Sequence, residues 1–303
     1  MWKTVLFLIV ALIVIPIAAW QLDTPPSTIQ VDLLKTLTMA YLAAALACFV
    51  VSSLTKNYSQ VDKLWSIMPI IYVWMVVGQY GATPRLLLMA VLVTIWGMRL
   101  TLNFGRRGGY SWKFWSGEED YRWAILRQRP EFQAAWAWTL FNLFFISLYQ
   151  MGLILLMTLP IVKCVGGNPM GVWDIILAVL FVGFVIIQIV ADGQQWRFQT
   201  EKYRRIHAGK TLDAPYAKGF IDSGLWGFSR HPNYAAEQAI WIVFYFFSVA
   251  AGGTWANWSI AGAILLLLLF KGSSDFSENV SGGKYPAYKD YQKRVGRFFP
   301  KFW

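Results

Sequence analysis

The chain has 303 residues, of which 57% are hydrophobic, 17% aromatic and only 14% charged, with a formal net charge of +11. A soluble domain carries about 25% charged residues, and several apolar runs here approach the ~20 residues that cross a bilayer, so composition excludes a soluble globular protein and indicates a polytopic membrane protein. The positive charge does not indicate nucleic acid, because the basic residues sit in loops between apolar helices, with no basic helix, zinc spacing or stacking motif.

In chain order, the apolar stretch 4–20 predicts an uncleaved membrane anchor, followed by a linker containing Pro25-Pro26. Residues 1–32 are thus an anchor and linker, and 33–303 the main membrane domain. Further spans are expected at about 34–54, 65–80, 85–104, 133–160, 172–192, 232–250 and 255–271. The fold class is an all-α, polytopic transmembrane helix bundle of about eight spans. The loops 105–132 and 193–231 and the tail from 271 hold 20 of the 27 Lys and Arg residues. In the eight-span arrangement these segments share one side with Lys3, Lys56 and Lys63, so both termini are expected to be cytoplasmic. The loops 105–132 and 193–231 and the tail 272–303 then form a cytosolic cap. Cys48, Cys164, His207 and His231 make neither a disulfide framework nor a metal site.

Polar residues that recur near this face are the candidates for chemistry. Arg99 lies late in the fourth span, with Asn103 one turn on and Arg106 and Arg107 extending the row. The row reads either as arginines snorkelling to the interface or as guanidinium forks for phosphates. Gln188 and Asp192 share a helix face at i,i+4, with Gln194, Gln195 and Arg197 following. Asp192 reads as an interfacial acid or as an acceptor for a ribose or amide. The stretch Ser229-Arg230-His231-Pro232-Asn233-Tyr234 opens a membrane helix, with Pro232 in its first turn. Glu237 follows Asn233 by one turn, and a carboxylate carried into a span costs several kcal/mol unless it is partnered. It reads as an ion-pair partner that fixes helix packing or as part of a ligand site. The tail 272–303, basic and aromatic, reads as a headgroup contact or as a strap folded back over a nucleotide. No GxGxxG or GxxxxGK[ST] is present, so a soluble nucleotide-binding domain is excluded.

These residues resemble the steroid 5-alpha-reductase C-terminal superfamily, in its DUF1295 branch. The resemblance covers about 60–303 and rests on Ser229–Tyr234 with Glu237, the tail Tyr285-Pro286 to Arg297-Phe298-Phe299-Pro300, and three shorter stretches. These are Asp62-Lys63-Leu64-Trp65-Ser66, Trp96-Gly97-Met98-Arg99-Leu100 and Glu119-Asp120-Tyr121-Arg122-Trp123. The resemblance implies an NADPH-dependent membrane oxidoreductase that reduces the C=C bond of an enone in a lipid or sterol-like substrate. Asn233 and Glu237 would hold the nicotinamide end, and Gln188 and Asp192 would contact the cofactor. Arg99 and Arg107 would reach its phosphates or ribose, with Asn103, Arg197, Arg230, His231 and Tyr234 completing the cofactor set. Trp96 stands near the place of the tyrosine that donates a proton in steroid reductases, which leaves Tyr58, Tyr72 or Tyr110 as donors. Membrane methyltransferases that use S-adenosylmethionine also carry Arg-His-Pro-x-Tyr at a helix start and are the alternative. A non-catalytic membrane subunit with a relict site is a further one. The expected location is an integral, multi-pass position in the endoplasmic reticulum, another organelle membrane or a bacterial inner membrane, with the cofactor face cytosolic. The expected partners are the lipid substrate and membrane lipids, and no nucleic acid.

Overall fold

The computed structural model describes residues 6, 9–21, 23–113 and 115–301. Lys3, Phe7 and Leu8 of the expected anchor and the last two residues of the tail lie outside the described residues. The protein is all-helical, with 74% of residues in helices and no strands among the described residues. The helices are α1 (Ile15–Gln21), α2 (Thr28–Thr55), α3 (Gln60–Leu64), α4 (Ile67–Tyr80), α5 (Pro84–Gly105), α6 (Tyr121–Arg127) and α7 (Ala135–Phe141). They continue with α8 (Gln150–Thr158), α9 (Pro160–Lys163), α10 (Val172–His207), α11 (Leu225–Phe228), α12 (Pro232–Ala250), α13 (Ala261–Lys284) and α14 (Tyr288–Arg294).

Among the described residues, five helical stretches are long and apolar enough to cross a membrane: Thr28–Thr55, Pro84–Gly105, Ala135–Lys163, Val172–His207 and Trp258–Lys284. The other expected segments are shorter or more polar. α4 has 14 residues, about 21 Å of helix against a ~30 Å hydrocarbon core. α12 has 19 residues but carries Asn233, Glu237 and Gln238 in its first two turns. The anchor is broken into a π segment, Val10–Val14, and the short α1.

The ends of these helices follow their sequences. Ser27 and Gln30 form a reciprocal capping box at the start of α2, and Lys56 closes that helix in the left-handed region at φ 58°. Pro84 and Pro232 occupy first turns, where their missing N–H costs nothing.

Two expected loops are largely helix. The segment expected to leave the membrane at 193 stays helical to His207. It contains good helix formers and no proline, and Glu201 pairs with Arg204 and Arg205 one turn on. Its Phe198 and Lys202 are buried, so a polar sequence with an inward stripe continues the helix. The tail expected from 272 stays helical to Lys284, and Lys271 and Asp275 pair across one turn. The loop 105–132 contains α6, capped by the Asp120 side chain on the Arg122 N–H.

The chain forms two compact units. The first comprises 1–178 and 244–265, and the second 179–243 and 266–303. In the first unit α4 and α5 pack closely. A Cβ at Gly97 would lie 2.6 Å from the Ser66 carbonyl oxygen. A π segment, Asn142–Tyr149, links α7 to α8. Arg85 and Asp174, both buried, form a bidentate pair at 2.6 and 2.8 Å, and Arg85 also donates to the carbonyls of Asn168 and Pro169. Gly262 lets α13 touch the backbone of Leu156 and Met157, where a Cβ would collide with main-chain atoms. Since neither backbone can yield, Gly262→Ala is expected to cost about 1–3 kcal/mol, visible as a lowered Tm of the detergent-solubilised protein. An unchanged Tm would contradict the close packing.

Candidate functional site

The second unit is built around the entry to α12. The backbone N–H groups of Arg230 and His231 donate to the carbonyls of Gly296 and Arg297 at 2.9 and 3.0 Å. The Ser229 hydroxyl also donates to the Arg297 carbonyl, at 2.9 Å. The tail is thus stitched across the residues that precede Pro232. Gly296 makes the crossing possible, since a Cβ there would overlap the Phe299 carbonyl oxygen. Beneath the crossing, Phe220, Tyr288, Tyr291 and Val295 form an apolar cluster, with Tyr285 against it. The Tyr291 hydroxyl donates to the Trp226 carbonyl. Burial pushes the Tyr288 hydroxyl up to about 12.

One carboxylate joins these parts. Glu278, on α13, is buried. Its Oε1 accepts from Arg230 Nε at 2.8 Å and is 3.0 Å from His231 Nε2. Its Oε2 accepts from Arg230 Nη2 at 3.1 Å, Gln292 Nε2 at 2.8 Å and Arg297 Nη2 at 3.5 Å. Arg230 also donates to the carbonyls of Gln292 and Val295. Arg230 and His231, expected to touch a cofactor, are therefore held by Glu278 and the tail. Sequence reading found Glu278 only as part of a mixed tail. The signal available was its position, late in an apolar helix and near basic residues. Glu278→Ala would leave two buried cationic or polar groups without their acceptor, so a loss of about 3–5 kcal/mol is expected. Chemical denaturation in detergent measures it, and Glu278→Gln should lose less.

A second polar set lies between α10 and α12. Asn233 Nδ2 donates to Asp192 Oδ1 at 3.0 Å. One turn deeper, Gln188 Nε2 donates to Glu237 Oε2, and Trp241 Nε1 donates to Glu237 Oε1 at 3.0 Å. Gln188, Asp192 and Glu237 are 4%, 5% and 4% exposed. The structure therefore brings together the two i,i+4 pairs that the sequence marks on separate helices. Glu237 is buried, and its partners include the Gln188 amide and the Trp241 indole. Further along α10 the Gln195 Oε1 is buried with no hydrogen-bond partner among the described residues. Arg197 is exposed and donates through Nε to the Gly193 carbonyl at 3.3 Å. The Tyr234 ring packs on Phe270 at 4.7 Å and stacks with His231 at 5.3 Å.

The remaining candidates, Arg99, Asn103, Arg107, Tyr58, Tyr72 and Tyr110, belong to the first unit. Arg99 and Asn103 are half-buried on α5 and Arg107 is exposed. Tyr72 is fully buried on α4, with no hydrogen-bond partner for its hydroxyl among the described residues. The Tyr110 hydroxyl donates to the Lys63 carbonyl at 2.8 Å. The Tyr58 ring lies between Arg127, 4.9 Å away, and Trp138, in edge contact at 5.0 Å. Around them the three short sequence stretches meet. Glu119 accepts from the Tyr58 N–H at 2.8 Å, and the Asp120 N–H donates to Ser59 Oγ at 2.8 Å. Ser66 and Thr101 hydroxyls lie 2.6 Å apart, and Trp123 Nε1 donates to Asp62 at 3.3 Å.

Burial, and then the Asp120 carboxylate, raise Asp62 above its ordinary value. A raised carboxyl favours folding below its unfolded value of about 3.9 and loses that contribution as pH rises through its folded value. Asp62→Asn removes the charge, so its Tm should exceed that of the parent at pH 8 and match it near pH 4. A parent–variant difference independent of pH would show that folding does not raise the Asp62 carboxyl.

The chain belongs to the family described as protein of unknown function DUF1295, whose model matches residues 48–295. This is the branch that the sequence stretches resemble, and the match begins earlier, inside α2, and stops just before the Gly296 crossing. Over 265 residues the chain is 38% identical to an uncharacterized protein of Schizosaccharomyces pombe, covering 83% of this chain and 75% of that one. No solved structure matches.

Proposed function

We propose that this membrane protein is an NADPH-dependent reductase of an activated C=C bond, an enone, in a lipid or sterol-like substrate. The observation that carries the reading is the hydrogen-bonded set of half-buried Asn233 with buried Gln188, Asp192, Glu237 and Trp241. Amides paired with carboxylates are the donor and acceptor types that orient a carboxamide ring and a ribose. Gln195 adds a buried acceptor lacking a donor, and a Cβ built at Gly193 meets only Arg197 Nη2, at 3.7 Å, so this stretch of α10 has room beside it. The residues present therefore fit a nicotinamide nucleotide.

Asn233 and Glu237 would hold the carboxamide end, Gln188 and Asp192 would fix those two side chains, and Arg197 would take a phosphate. Bound NADPH supplies the hydride. Arg230 and His231 act as positioning residues, because Glu278 and the tail lock the turn from which Asn233 projects. Apolar helix surroundings keep water from the reacting atoms.

Titration of the purified protein tests this. NADPH is expected to raise the Tm, and Asn233→Ala and Glu237→Gln should each weaken NADPH binding about tenfold, the equivalent of one charge-assisted hydrogen bond. A shift with S-adenosylmethionine alone would replace the reductase reading with a methyltransferase. No shift with either would indicate a non-catalytic subunit.

A further inference from the structure

The first unit contains a cleft of about 280 Å³ at the end of α2, lined by Phe49, Val50, Leu54, Lys56, Tyr58 and Trp138 together with the polar Ser53, Thr139 and Asn142. That volume is at the small end of ligand sites and suits one chain segment of a larger molecule. Three observations define what would occupy it. The wall is apolar along α2, where Leu54 is 78% exposed. Lys56 follows immediately on the Thr28–Thr55 membrane helix, so it stands at headgroup level. It is exposed, its ammonium has no partner among the described residues, and no carboxylate lines the cleft.

The third observation concerns Trp138, which is only 7% exposed and whose buried indole N–H has no acceptor among the described residues. A buried donor without an acceptor is costly, and an ester carbonyl would complete it. The neutral polar side chains of Ser53, Thr139 and Asn142 in the lining already have partners. Asn142 Nδ2 donates to Ser52 and Ser53, at 2.9 and 3.2 Å, and the Thr139 hydroxyl donates to the Ala135 carbonyl at 2.9 Å. Arg127 stacks over Tyr58 and Trp138 and pairs with Glu119, which fixes both rings in place. The π segment that follows α7 starts at Asn142 itself, and such segments are frequent at binding sites.

We propose that this cleft is a binding site for one anionic glycerophospholipid. Its phosphate pairs with Lys56, an ester carbonyl accepts from Trp138, and an acyl chain lies along Phe49, Val50 and Leu54. The site is independent of the reductase reading and would hold equally for a non-catalytic protein.

Native mass spectrometry of the full-length protein in detergent, mixed with dioleoyl phosphatidylglycerol, dioleoyl phosphatidylcholine or inorganic phosphate, tests the site. One phosphatidylglycerol should be retained about fivefold over phosphatidylcholine, the preference expected of one lysine near a headgroup. Lys56→Asn should abolish that preference. Asparagine tolerates the left-handed backbone at this position, so the variant stays folded. Trp138→Phe keeps the ring and should lower retention of both lipids. Equal retention of the two lipids by the parent would overturn the proposal, as would binding of phosphate alone. So would an equal loss of preference in Lys35→Asn, at the far end of α2, since that would mean adhesion anywhere on the helix.

Discussion

The Glu278 carboxylate holds together parts of the second unit that no apolar contact could bring into register. Arg230 and His231 come from the entry of α12, Gln292 and Arg297 from the tail, and Glu278 from α13. Two oxygens gather all of them, and the bidentate Arg230 fork sets their angle. Desolvating such charges is costly, and the gain over an apolar core is small. What the arrangement supplies is direction. The turn before Pro232 is fixed, and with it the line along which Asn233 and Glu237 enter the helix bundle.

That dependence explains why the tail is neither a loose strap nor a headgroup contact alone. Its hydrogen bonds to Ser229, Arg230 and His231 satisfy backbone groups that a helix start leaves open. Its aromatic residues build a small core of their own against Phe220. The Tyr-Pro…Tyr…Tyr spacing of the sequence is therefore packing chemistry: Tyr288 and Tyr291 lie one turn apart on α14 and turn one face inward.

Much of this was readable in the sequence, for reasons that differ by residue. Pro232 marks a helix start through backbone geometry, and Asn233 and Glu237 share a face through helical periodicity. Gln188 and Asp192 follow from the same rule. The sequence did not reveal that α10 runs on to His207, because the apolar run ends near 192 and membrane logic places the break there. Propensity and an inward stripe at Phe198 and Lys202 outweigh that logic. Nor could periodicity pair Arg230 with a residue 48 positions away. The meeting of Ser66 with Gly97 was legible only as two separate stretches, since a glycine signals close approach without naming what approaches. The expected span count rests on the lengths of the apolar runs, and the side of each loop on charge distribution alone.

The two kinds of buried polar contact in this protein are suited to different tasks. Arg85 and Asp174 form a closed pair, with both carboxylate oxygens bound by one guanidinium and the remaining donors capped by carbonyls. Opening such a pair leaves a buried charge, so it serves as a permanent joint. The contacts of Asn233 and Glu237 with Asp192, Gln188 and Trp241 are single hydrogen bonds from amides and an indole. On the function proposed above, an entering carboxamide would offer the same donor and acceptor as the Gln188 amide it displaces, so the exchange would conserve hydrogen bonds. The amide and indole contacts of Glu237 would then yield to a ligand at less cost than an arginine fork would.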